Sequence, residues 1–387
     1  MITYIEKLLD GQPVEWKTLG EVAEIKRGDR ITKTQLISQG KYPVVSGGTK
    51  PLGYYDQANR SAGTITVAQY GTAGYVDWQS QDFWANDVCY SIFPHPEVDN
   101  RFLYYVLCCK QRLIYSLVTE AIPAHLPRQK LASISIPIPP LPVQEEIVRI
   151  LDKFTELEAE LEAELEARKQ QYEYYRNSLL SFANDLEGGG KIVFKTLGEV
   201  GTFVRGSGLQ KKDLNNAGVP AIHYGQIYTY YGKFTNETKS FVTDKFAKKS
   251  RCASPGDLII ATTSENDDDV CKAVAWLGES PLVVSSDACF YTHSLHPKYI
   301  AYIFESHIFQ DQKRKFITGT KVRRVNVRDL ARITIPIPPL SEQARIVNIL
   351  DKFDALTNSL TEGLPQEIEL RRKQYEYYRE QLLSFPA

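Results

Sequence analysis

The most constraining feature of this chain is that it contains much of its sequence twice. Residues 134–154 (ISIPIPPLPVQEEIVRILDKF) return at 333–353 as ITIPIPPLSEQARIVNILDKF, with 15 of 21 positions identical. Residues 172–182 (YEYYRNSLLSF) likewise return at 375–385 as YEYYREQLLSF. A repeat of this length indicates that one structural unit is used twice.

A third repeated pair lies upstream and defines where the repetition stops. WKTLGEVAEIKRG at 16–28 matches FKTLGEVGTFVRG at 194–206 at 8 of 13 positions. Between the repeated segments, residues 29–133 and 207–332 occupy equivalent places but show no convincing match to each other. The chain is therefore organised as a variable module, a constant segment, a second variable module and a second constant segment.

Length and composition agree with a multidomain globular protein. The 387 residues favour two to three domains, each large enough to bury its own core. With 43% hydrophobic and 24% charged residues, the composition is ordinary for such a protein. The repeats divide the chain into an N-terminal helix at 1–15, a first variable module at 16–133, a constant region with a long helix and a linker at 134–190, a second variable module at 191–332, and a constant region with a long helix at 333–387.

Both variable modules are predicted to be α+β. Short segments rich in β-branched and aromatic residues alternate with glycine-containing turns, as in GTITVAQYG and DLIIATTSE, which is typical of short strands. One helical stretch is expected at about 100–115 in the first module and another at 296–316 in the second.

Each constant region is predicted to form a long helix after a proline-rich start. PIPPLP at 137–142 favours an extended approach, and Pro142 suits the first turn of a helix because its missing N–H costs nothing there. From Ile147 to Phe182 apolar residues recur every three or four positions, which makes a helix of about 40 residues and roughly 60 Å. An apolar stripe of that length needs a partner helix.

The two long helices are expected to differ. The middle of the first is TELEAELEAELE at 155–166, a four-residue tandem of strong helix formers that predicts a spacer with an acidic, solvated face. The second begins at about Ser341, lacks this tandem, and should be broken or kinked by Gly363 and Pro365. NDLEGGGK at 184–191 is the clearest linker.

The distribution of charge favours nucleic acid as a partner, although the net charge of the chain is only −1. Residues 16–133 hold 13 Lys and Arg against 10 Asp and Glu, and residues 194–332 hold 20 against 14. Both variable modules are therefore basic, whereas the constant regions are acidic. Basic surfaces of this kind suit the phosphate backbone.

The most basic stretch is QKRKFITGTKVRRVNVRDLAR at 312–332. Such a density suits phosphate contacts, and arginine can also read guanine bidentately in a major groove. A solubilising basic surface is the alternative. The candidate DNA-binding residues of this stretch are Lys313, Arg314, Lys315, Lys321, Arg323, Arg324 and Arg328.

Further candidates for DNA binding lie outside the basic stretch. HYGQIYTYY at 223–231 alternates as on one face of a strand, although a tyrosine stripe is as often ordinary sheet packing. The glycine turns VSGGTK and QYGTAG of the first module are either base-reading loops or plain hairpins. The candidates are Tyr224, Gln226, Tyr228 and Tyr230 in the second module, and Arg27, Arg30, Lys50, His125, Arg128 and Lys130 in the first.

The sequence contains no credible catalytic constellation, so we expect neither enzymatic activity nor a bound cofactor. It has no GxxxxGK[ST] loop, and FVRGSG at 203–208 is too polar for a dinucleotide or S-adenosylmethionine loop. Asp267, Asp268 and Asp269 favour a solvated acidic loop over a metal site, and the pair His293 and His296 lacks a third ligand. No metal site is predicted.

The sequence favours a cytoplasmic protein that does not contact a membrane. Six cysteines form no CxxC pair, so free buried thiols are expected rather than disulfides or a zinc site. The longest clean apolar run, FLYYVLCC at 102–109, is far shorter than the roughly 18 to 20 residues of a membrane span. No signal peptide is visible at the start of the sequence.

Taken together, these segments resemble the specificity subunit of type I restriction–modification systems over essentially the whole chain. The resemblance rests on the duplicated IPIPPL…Q…ILDKF and QYEYYR..LLSF segments, the KTLGEV start of each variable module and the tandem ELEA spacer. It implies two α+β target recognition domains that are separated by two long antiparallel helices in a coiled coil with an internal pseudo-twofold repeat. Each domain would read one half of a bipartite, asymmetric site on double-stranded DNA.

The resemblance also implies partners. Two modification subunits would dock on the helices and carry the S-adenosylmethionine site for adenine methylation, and restriction subunits with ATP-driven translocation would join them. The chain itself would be a non-catalytic subunit. A coiled-coil scaffold without specific DNA recognition is the alternative, and it would leave the basic variable modules unexplained.

Overall fold

The fold of the chain is α+β, as predicted. The computed structural model describes residues 4–182, 192–359 and 362–385. The predicted linker at 184–191 lies outside the described residues. Across the described part of the chain, no helix is both long and apolar enough to cross a lipid bilayer.

The chain divides into two compact units, each assembled from discontinuous segments. Unit 1 comprises Met1–Glu162 and Glu367–Ala387, and unit 2 comprises Ala163–Gln366. Each unit therefore contains one variable module, the start of the constant helix that follows this module, and the later part of the other constant helix.

Unit 1 is built on two small sheets and a two-stranded ribbon. The four-stranded sheet has the order β2-β8-β5-β6, the three-stranded sheet has the order β4-β3-β7, and the ribbon pairs β1 with β9. The elements are α1 (Tyr4–Leu9), β1 (Glu15–Thr18), α2 (Leu19–Val22), β2 (Ala23–Arg27), β3 (Tyr42–Val45), β4 (Tyr54–Tyr55), β5 (Thr64–Ala68), β6 (Val76–Gln79), β7 (Trp84–Ala85), β8 (Cys89–Pro94), α3 (Asn100–Cys109), α4 (Gln111–Ser116), α5 (Arg128–Ala132), β9 (Ser135–Ile138) and the first part of α6 (Leu141–Ser181).

Unit 2 repeats this plan with larger sheets. Its sheets have the orders β11-β20-β16-β18-β13 and β14-β12-β19-β15, and the pairs β10–β22 and β17–β21 form ribbons. The elements are β10 (Val193–Thr196), α7 (Leu197–Val200), β11 (Gly201–Arg205), β12 (Val219–Ile222), α8 (Tyr224–Thr229), β13 (Phe234–Thr235), β14 (Ser240–Val242), α9 (Asp244–Ala247), β15 (Cys252–Ala253), β16 (Leu258–Ala261), β17 (Thr263–Ser264), β18 (Ala273–Trp276), β19 (Leu282–Val284), β20 (Ala288–His293), α10 (Pro297–Glu305), α11 (His307–Arg314), β21 (Arg323–Arg324), α12 (Val327–Leu330), β22 (Thr334–Ile337) and α13 (Leu340–Asn358), together with the later part of α6. Helix α14 (Leu364–Leu383) follows α13 and belongs to unit 1 from Glu367 onward.

The repeated sequence segments meet each other in both units. In unit 1 the KTLGEV strand β1 pairs antiparallel with the IPIPP strand β9, which places Trp16 opposite Pro137. In unit 2 the equivalent strands pair in the same register, with Phe194 opposite Pro336. The constant sequence therefore closes the two ends of each variable module into one ribbon.

A buried glutamine explains why the repeated segments keep a Gln after IPPL. Gln144 donates from Nε2 to the Pro139 carbonyl at 2.7 Å and accepts from the Asp99 N–H at 2.8 Å. Gln343 makes the equivalent bonds in unit 2. Because a buried polar group must be hydrogen-bonded, this side chain joins the start of each long helix to the module before it.

The helices of unit 1 pack antiparallel. Phe154 of α6 stacks on Tyr378 of α14 with ring centroids 5.4 Å apart, and Glu158 and Glu162 both form ion pairs with Arg372. Later residues of α6 therefore meet earlier residues of α14. Two glutamates of the tandem, which was predicted to be a solvated face, are paired in this way.

The second constant region contains the predicted break. Helix α13 ends at Asn358 and α14 begins at Leu364, with Gly363 in the left-handed region at φ 79°. Pro365 follows in the first turn of α14, where its missing N–H is tolerated. In unit 2, Tyr172 and Tyr175 of α6 pack around Phe353 of α13, as the apolar stripe requires.

Candidate nucleic-acid interface

A hairpin at residues 318–324, named finger 2, lies within the basic stretch of unit 2. Its ends are joined by hydrogen bonds from the Thr318 N–H to the Arg324 carbonyl at 2.9 Å and from the Arg324 N–H to the Thr318 carbonyl at 2.8 Å. Neighbouring side chains of a strand point to opposite faces. Accordingly, Arg323 contacts Asp267 at 2.8 Å, whereas Arg324 is exposed.

An open cavity of about 640 Å³ lies beside finger 2 and is lined by three arginines, Arg205, Arg324 and Arg328, and one carboxylate, Asp287. The Nε of Arg205 donates to the Ser286 carbonyl at 3.0 Å, which fixes this side chain. Among the described residues, no ion-pair partner is found for Arg324 or Arg328. A cavity with this excess of positive charge suits phosphate groups and base edges.

The polar lining of the cavity adds neutral hydrogen-bonding groups. Thr262, Thr263, Thr318 and Asn326 all contribute to its wall. The Oδ1 of Asn326 accepts from the Arg328 N–H at 3.0 Å and caps α12, so the start of this short helix is fixed. Hydroxyl and amide groups can contact either phosphate oxygens or bases.

Helix α11 contributes less to this surface than its sequence predicts. Lys313 is fully buried, and its Nζ donates to the Asp268 carbonyl at 3.0 Å. Burial lowers the pKa of Lys313. Arg314 forms an ion pair with Asp311 at 3.2 Å, and Lys315 is exposed. Lys313 therefore cannot present its ammonium group to DNA in this conformation.

The tyrosine stripe at 223–231 is not a strand, so that prediction is wrong. Residues 224–229 form helix α8, because the Gln226 side chain accepts from the His223 N–H at 2.9 Å and so caps the start of the helix. The hydroxyl of Tyr228 donates to the Thr263 carbonyl at 2.6 Å. Tyr224 is partly buried, whereas Tyr230 is 57% exposed. Tyr230 is therefore the member of the stripe that is most available to a partner.

Unit 1 contains a closed loop in the equivalent place, at residues 119–125, named finger 1. The Thr119 N–H donates to the His125 carbonyl at 2.9 Å, as Thr318 does to Arg324 in finger 2. His125 pairs with Tyr70 through a β-bridge and stacks on its ring at 5.5 Å. The predicted candidate His125 is therefore a half-buried support of finger 1.

Two predicted arginines of unit 1 are each held by a main-chain carbonyl, Arg27 at the end of β2 and Arg128 through a bond to this strand. Arg27 donates from Nε to the Asp87 carbonyl at 3.1 Å, and Arg128 donates from Nε to the Ile25 carbonyl at 3.2 Å. Both side chains remain exposed. Bonds to main-chain carbonyls hold each guanidinium in place without neutralising its charge, which leaves it able to attract phosphate.

The remaining candidates of unit 1 are exposed and more scattered. Arg30, Lys50 and Lys130 are exposed. Lys50 is the last residue of the glycine turn VSGGTK. This turn packs against the turn QYGTAG, since a Cβ on Gly47 would lie 2.3 Å from the Tyr70 carbonyl oxygen. The two glycine turns therefore lie side by side next to finger 1, with glycine required by their close approach.

Arg205 lines the cavity of unit 2 but is not among the residues predicted from the sequence. The signal was present, because the repeat aligns Arg205 with Arg27, and both arginines donate from Nε to a main-chain carbonyl. The contributions of Thr262 and Asp287 could not have been found, because they lie far from the basic stretch in sequence and reach the cavity only through the fold.

The acidic run at 267–269 is engaged by neighbouring residues, and Cys89 is buried. Within the described ranges, no group of three His, Cys, Asp or Glu side chains could hold a metal ion. The Asp267 carboxylate contacts Arg323, and the Asp269 N–H is bound by Asn266. All six cysteines are free, and burial raises the pKa of Cys89 to about 12, so its reactive thiolate form is suppressed.

Comparison with known proteins shows the family. The family model described as "Type I restriction modification DNA specificity domain" matches residues 13–167 and again residues 190–370. A putative type I restriction enzyme specificity subunit of Haemophilus influenzae is 34% identical over 99% of this chain and 98% of its own length. A type I restriction enzyme specificity subunit of Escherichia coli is 34% identical over 100% of this chain and 98% of its own.

A solved structure shows the same fold. The crystal structure of a type I restriction–modification S subunit from M. genitalium covers 98% of both chains with a TM-score of 0.59 at 18% identity. Two matched specificity domains, each with exposed cations beside a finger, define a DNA-specificity protein. The chain belongs to the family of type I restriction–modification specificity subunits.

Proposed function

We propose that unit 1 and unit 2 each read one half of a bipartite, asymmetric DNA site. The target recognition domains would be residues 16–133 and 191–332. In unit 2 the DNA-facing groups are Arg205, Lys315, Lys321, Arg324, Arg328 and the exposed Tyr230, and in unit 1 they are Arg27, Arg30, Lys50, Arg128 and Lys130, with His125 supporting finger 1.

One observation carries this proposal most directly. The cavity of unit 2 is lined by Arg205, Arg324 and Arg328 against a single carboxylate, Asp287. Burial or pairing of cations would indicate a structural role, but these guanidinium groups are exposed. Exposed arginine is the side chain that combines phosphate contact with base readout.

The long helices supply the second part of the proposed function. Helices α6, α13 and α14 would dock two modification subunits, which bring the methyltransferase chemistry, and restriction subunits would join this complex. The chain itself would be the non-catalytic subunit. The names of its relatives as restriction enzyme specificity subunits support this assembly.

Expression with the cognate modification subunit in a host that lacks adenine methylation tests the proposal. Mapping methyladenine across the host genome should give one bipartite motif with a fixed gap. An absence of methylation in a complex whose assembly has been verified would contradict it. Sequence-blind and salt-insensitive binding of DNA would favour the scaffold alternative.

Single substitutions in unit 2 then assign a half-site to this unit. Arg324→Ala and Arg328→Ala should affect recognition of one half-site only. A lost phosphate contact should lower the slope of log K against log salt by about 1, and a lost base contact should relax one base pair by about 1 to 3 kcal/mol. Arg314→Ala, whose guanidinium is paired with Asp311, is the matched control and should change both measures less.

A further inference from the structure

The two fingers occupy equivalent places in the fold although their sequences differ. Each starts at a threonine, Thr119 or Thr318, whose N–H donates to the carbonyl six residues later. Each is followed by a short helix and then by the IPIPP strand, through α5 and β9 in unit 1 and through α12 and β22 in unit 2. The sequences AIPA at 121–124 and TKVR at 320–323 form their tips.

Finger 2 and the short helix after it carry a group of exposed cations. Its tip carries Lys321, its end carries Arg324, and Arg328 follows immediately in α12, all of them exposed. A surface that presents these cations beside an open cavity is complementary to the phosphate backbone. Finger 1 occupies the equivalent place in unit 1, so under the proposed function it would face DNA in the same way.

The tip of finger 1 is chemically different, since it carries neither a charge nor a side-chain donor or acceptor. Ile122 is 101% exposed, and Pro123 beside it lacks a backbone N–H. A single exposed apolar residue needs no explanation by itself. The position of Ile122 distinguishes it, because the equivalent tip of finger 2 also presents an apolar residue. This residue is Val322, which is 45% exposed and lies among cations.

The base of finger 1 holds this apolar tip in place. Thr119 Oγ1 lies 2.9 Å from the His125 Nδ1 and accepts from the His125 N–H at 3.2 Å, while the His125 ring stacks on Tyr70. A side chain on a fixed loop loses little conformational entropy when it contacts a partner. Finger 1 is therefore pre-organised to offer Ile122 to an apolar group.

From this geometry we infer that finger 1 enters the major groove and that Ile122 packs against the methyl group of a thymine in the half-site read by unit 1. The C5-methyl of thymine is the alkyl group that base pairs present in the major groove, and apolar side chains are what read it. The inference rests on the proposed function. It adds that one A·T base pair of that half-site is recognised by an apolar contact rather than by hydrogen bonds.

Uracil substitution tests this inference, because uracil differs from thymine only by the missing methyl group. The bipartite motif is first taken from the methylated genome, and duplexes are then made with deoxyuridine at each thymine of the motif in turn. The complex of this chain with its modification subunit should bind one such duplex about three- to tenfold more weakly, as expected for one buried methyl group.

The variants give the decisive comparison. Ile122→Ser should bind the thymine and uracil duplexes equally at that position, and Ile122→Val should keep the preference. Ile37→Ser in the same unit, which also replaces an exposed isoleucine, should behave like the wild type. Because Ile122 contacts solvent on all sides, Ile122→Ser should leave the thermal unfolding of the complex unchanged.

Three results would overturn the inference. They are a complex insensitive to uracil at every position, an Ile122→Ser variant as sensitive to uracil as the wild type, and an Ile122→Ser variant weakened equally on all DNA sequences. A wild-type complex that yields no bipartite motif would instead refute the proposed function, so the two failures are distinguishable.

Discussion

At the scale of single residues, the environment of one buried histidine makes unit 2 sensitive to acid. His293 ends β20, and its Nδ1 accepts from the Leu295 N–H at 3.2 Å. Its Nε2 is buried and has no hydrogen-bond partner among the described residues. Burial lowers the pKa of His293 to about 4. The folded chain therefore holds this side chain neutral over a range in which the unfolded chain protonates it.

This difference predicts a stability effect with a definite sign. The unfolded chain takes up a proton at about pH 6.5 and the folded chain only near pH 4, so acidification through this window favours unfolding. The presence of His293 should lower the free energy of unfolding by about 3 kcal/mol at pH 4, and this loss should vanish above pH 7. His293→Asn, which keeps an acceptor for the Leu295 N–H, should make the free energy of unfolding less dependent on pH. Urea unfolding of the wild type and this variant from pH 7 to pH 4 measures the difference, and two parallel pH profiles would contradict the prediction.

Residue types predicted the candidate interface only in part. Exposed cations such as Arg324 and Arg328 lie where a basic stretch predicts them, because a charged side chain is rarely buried. Lys313 is the exception: its ammonium reaches a main-chain carbonyl, and only the tertiary fold could reveal this bond. DNA contact by any of these residues stays a prediction.

At the scale of elements, sequence periodicity identified the long helices and several of the strands, but it missed the short helices and many short strands. The long helix α6 follows from apolar residues at every third or fourth position, and the break before α14 follows from Gly363 and Pro365. The alternation around Tyr224 resembled a strand. There the bond from the His223 N–H to Gln226 stabilises a helical turn instead, which alternation alone cannot detect.

The tandem in α6 gives a prediction at this scale. Deleting residues 163–166, one AELE repeat, removes about 6 Å of helix, and a base pair rises about 3.4 Å. The preferred spacer should shorten by one or two base pairs while both half-sites stay unchanged. Glu158 and Glu162, which pair with Arg372, are retained in this variant.

Mapping of methyladenine in the genome measures the spacer directly. The substitution Glu164→Gln keeps the length of the helix and is the matched control, for which the spacer should not change. A deletion variant with an unaltered gap, or with a different half-site, would show that the length of α6 does not set the spacing.

At the scale of the whole molecule, the chain is two units with separate cores. Leu103 of α3 lies in the hydrophobic core of unit 1, and Ile300 of α10 lies in that of unit 2. The repeats predicted that one plan is used twice. They could not predict which unit contains which copy of the later helix segment, because the two copies, YEYYRNSLLSF and YEYYREQLLSF, are nearly identical in sequence.

Separate cores should produce separable unfolding transitions. Leu103→Ala and Ile300→Ala each create a cavity that costs about 2 to 5 kcal/mol, and each should lower the melting temperature of one transition only. Calorimetry of the two variants beside the wild type tests this expectation. A single transition shifted equally by both substitutions would show that the units unfold together.

The discontinuous composition of unit 1 has a consequence for synthesis on the ribosome. The hydrophobic core of unit 1 includes Ile5 and Leu9 from the start of the sequence. It also includes Leu382, from a segment that follows all of unit 2. Translation therefore supplies every segment of unit 2 before it supplies the last segment of unit 1. A nascent chain that stops before residue 367 contains every segment of unit 2 but lacks the last segment of unit 1, so unit 1 can complete its core only after unit 2 has been translated.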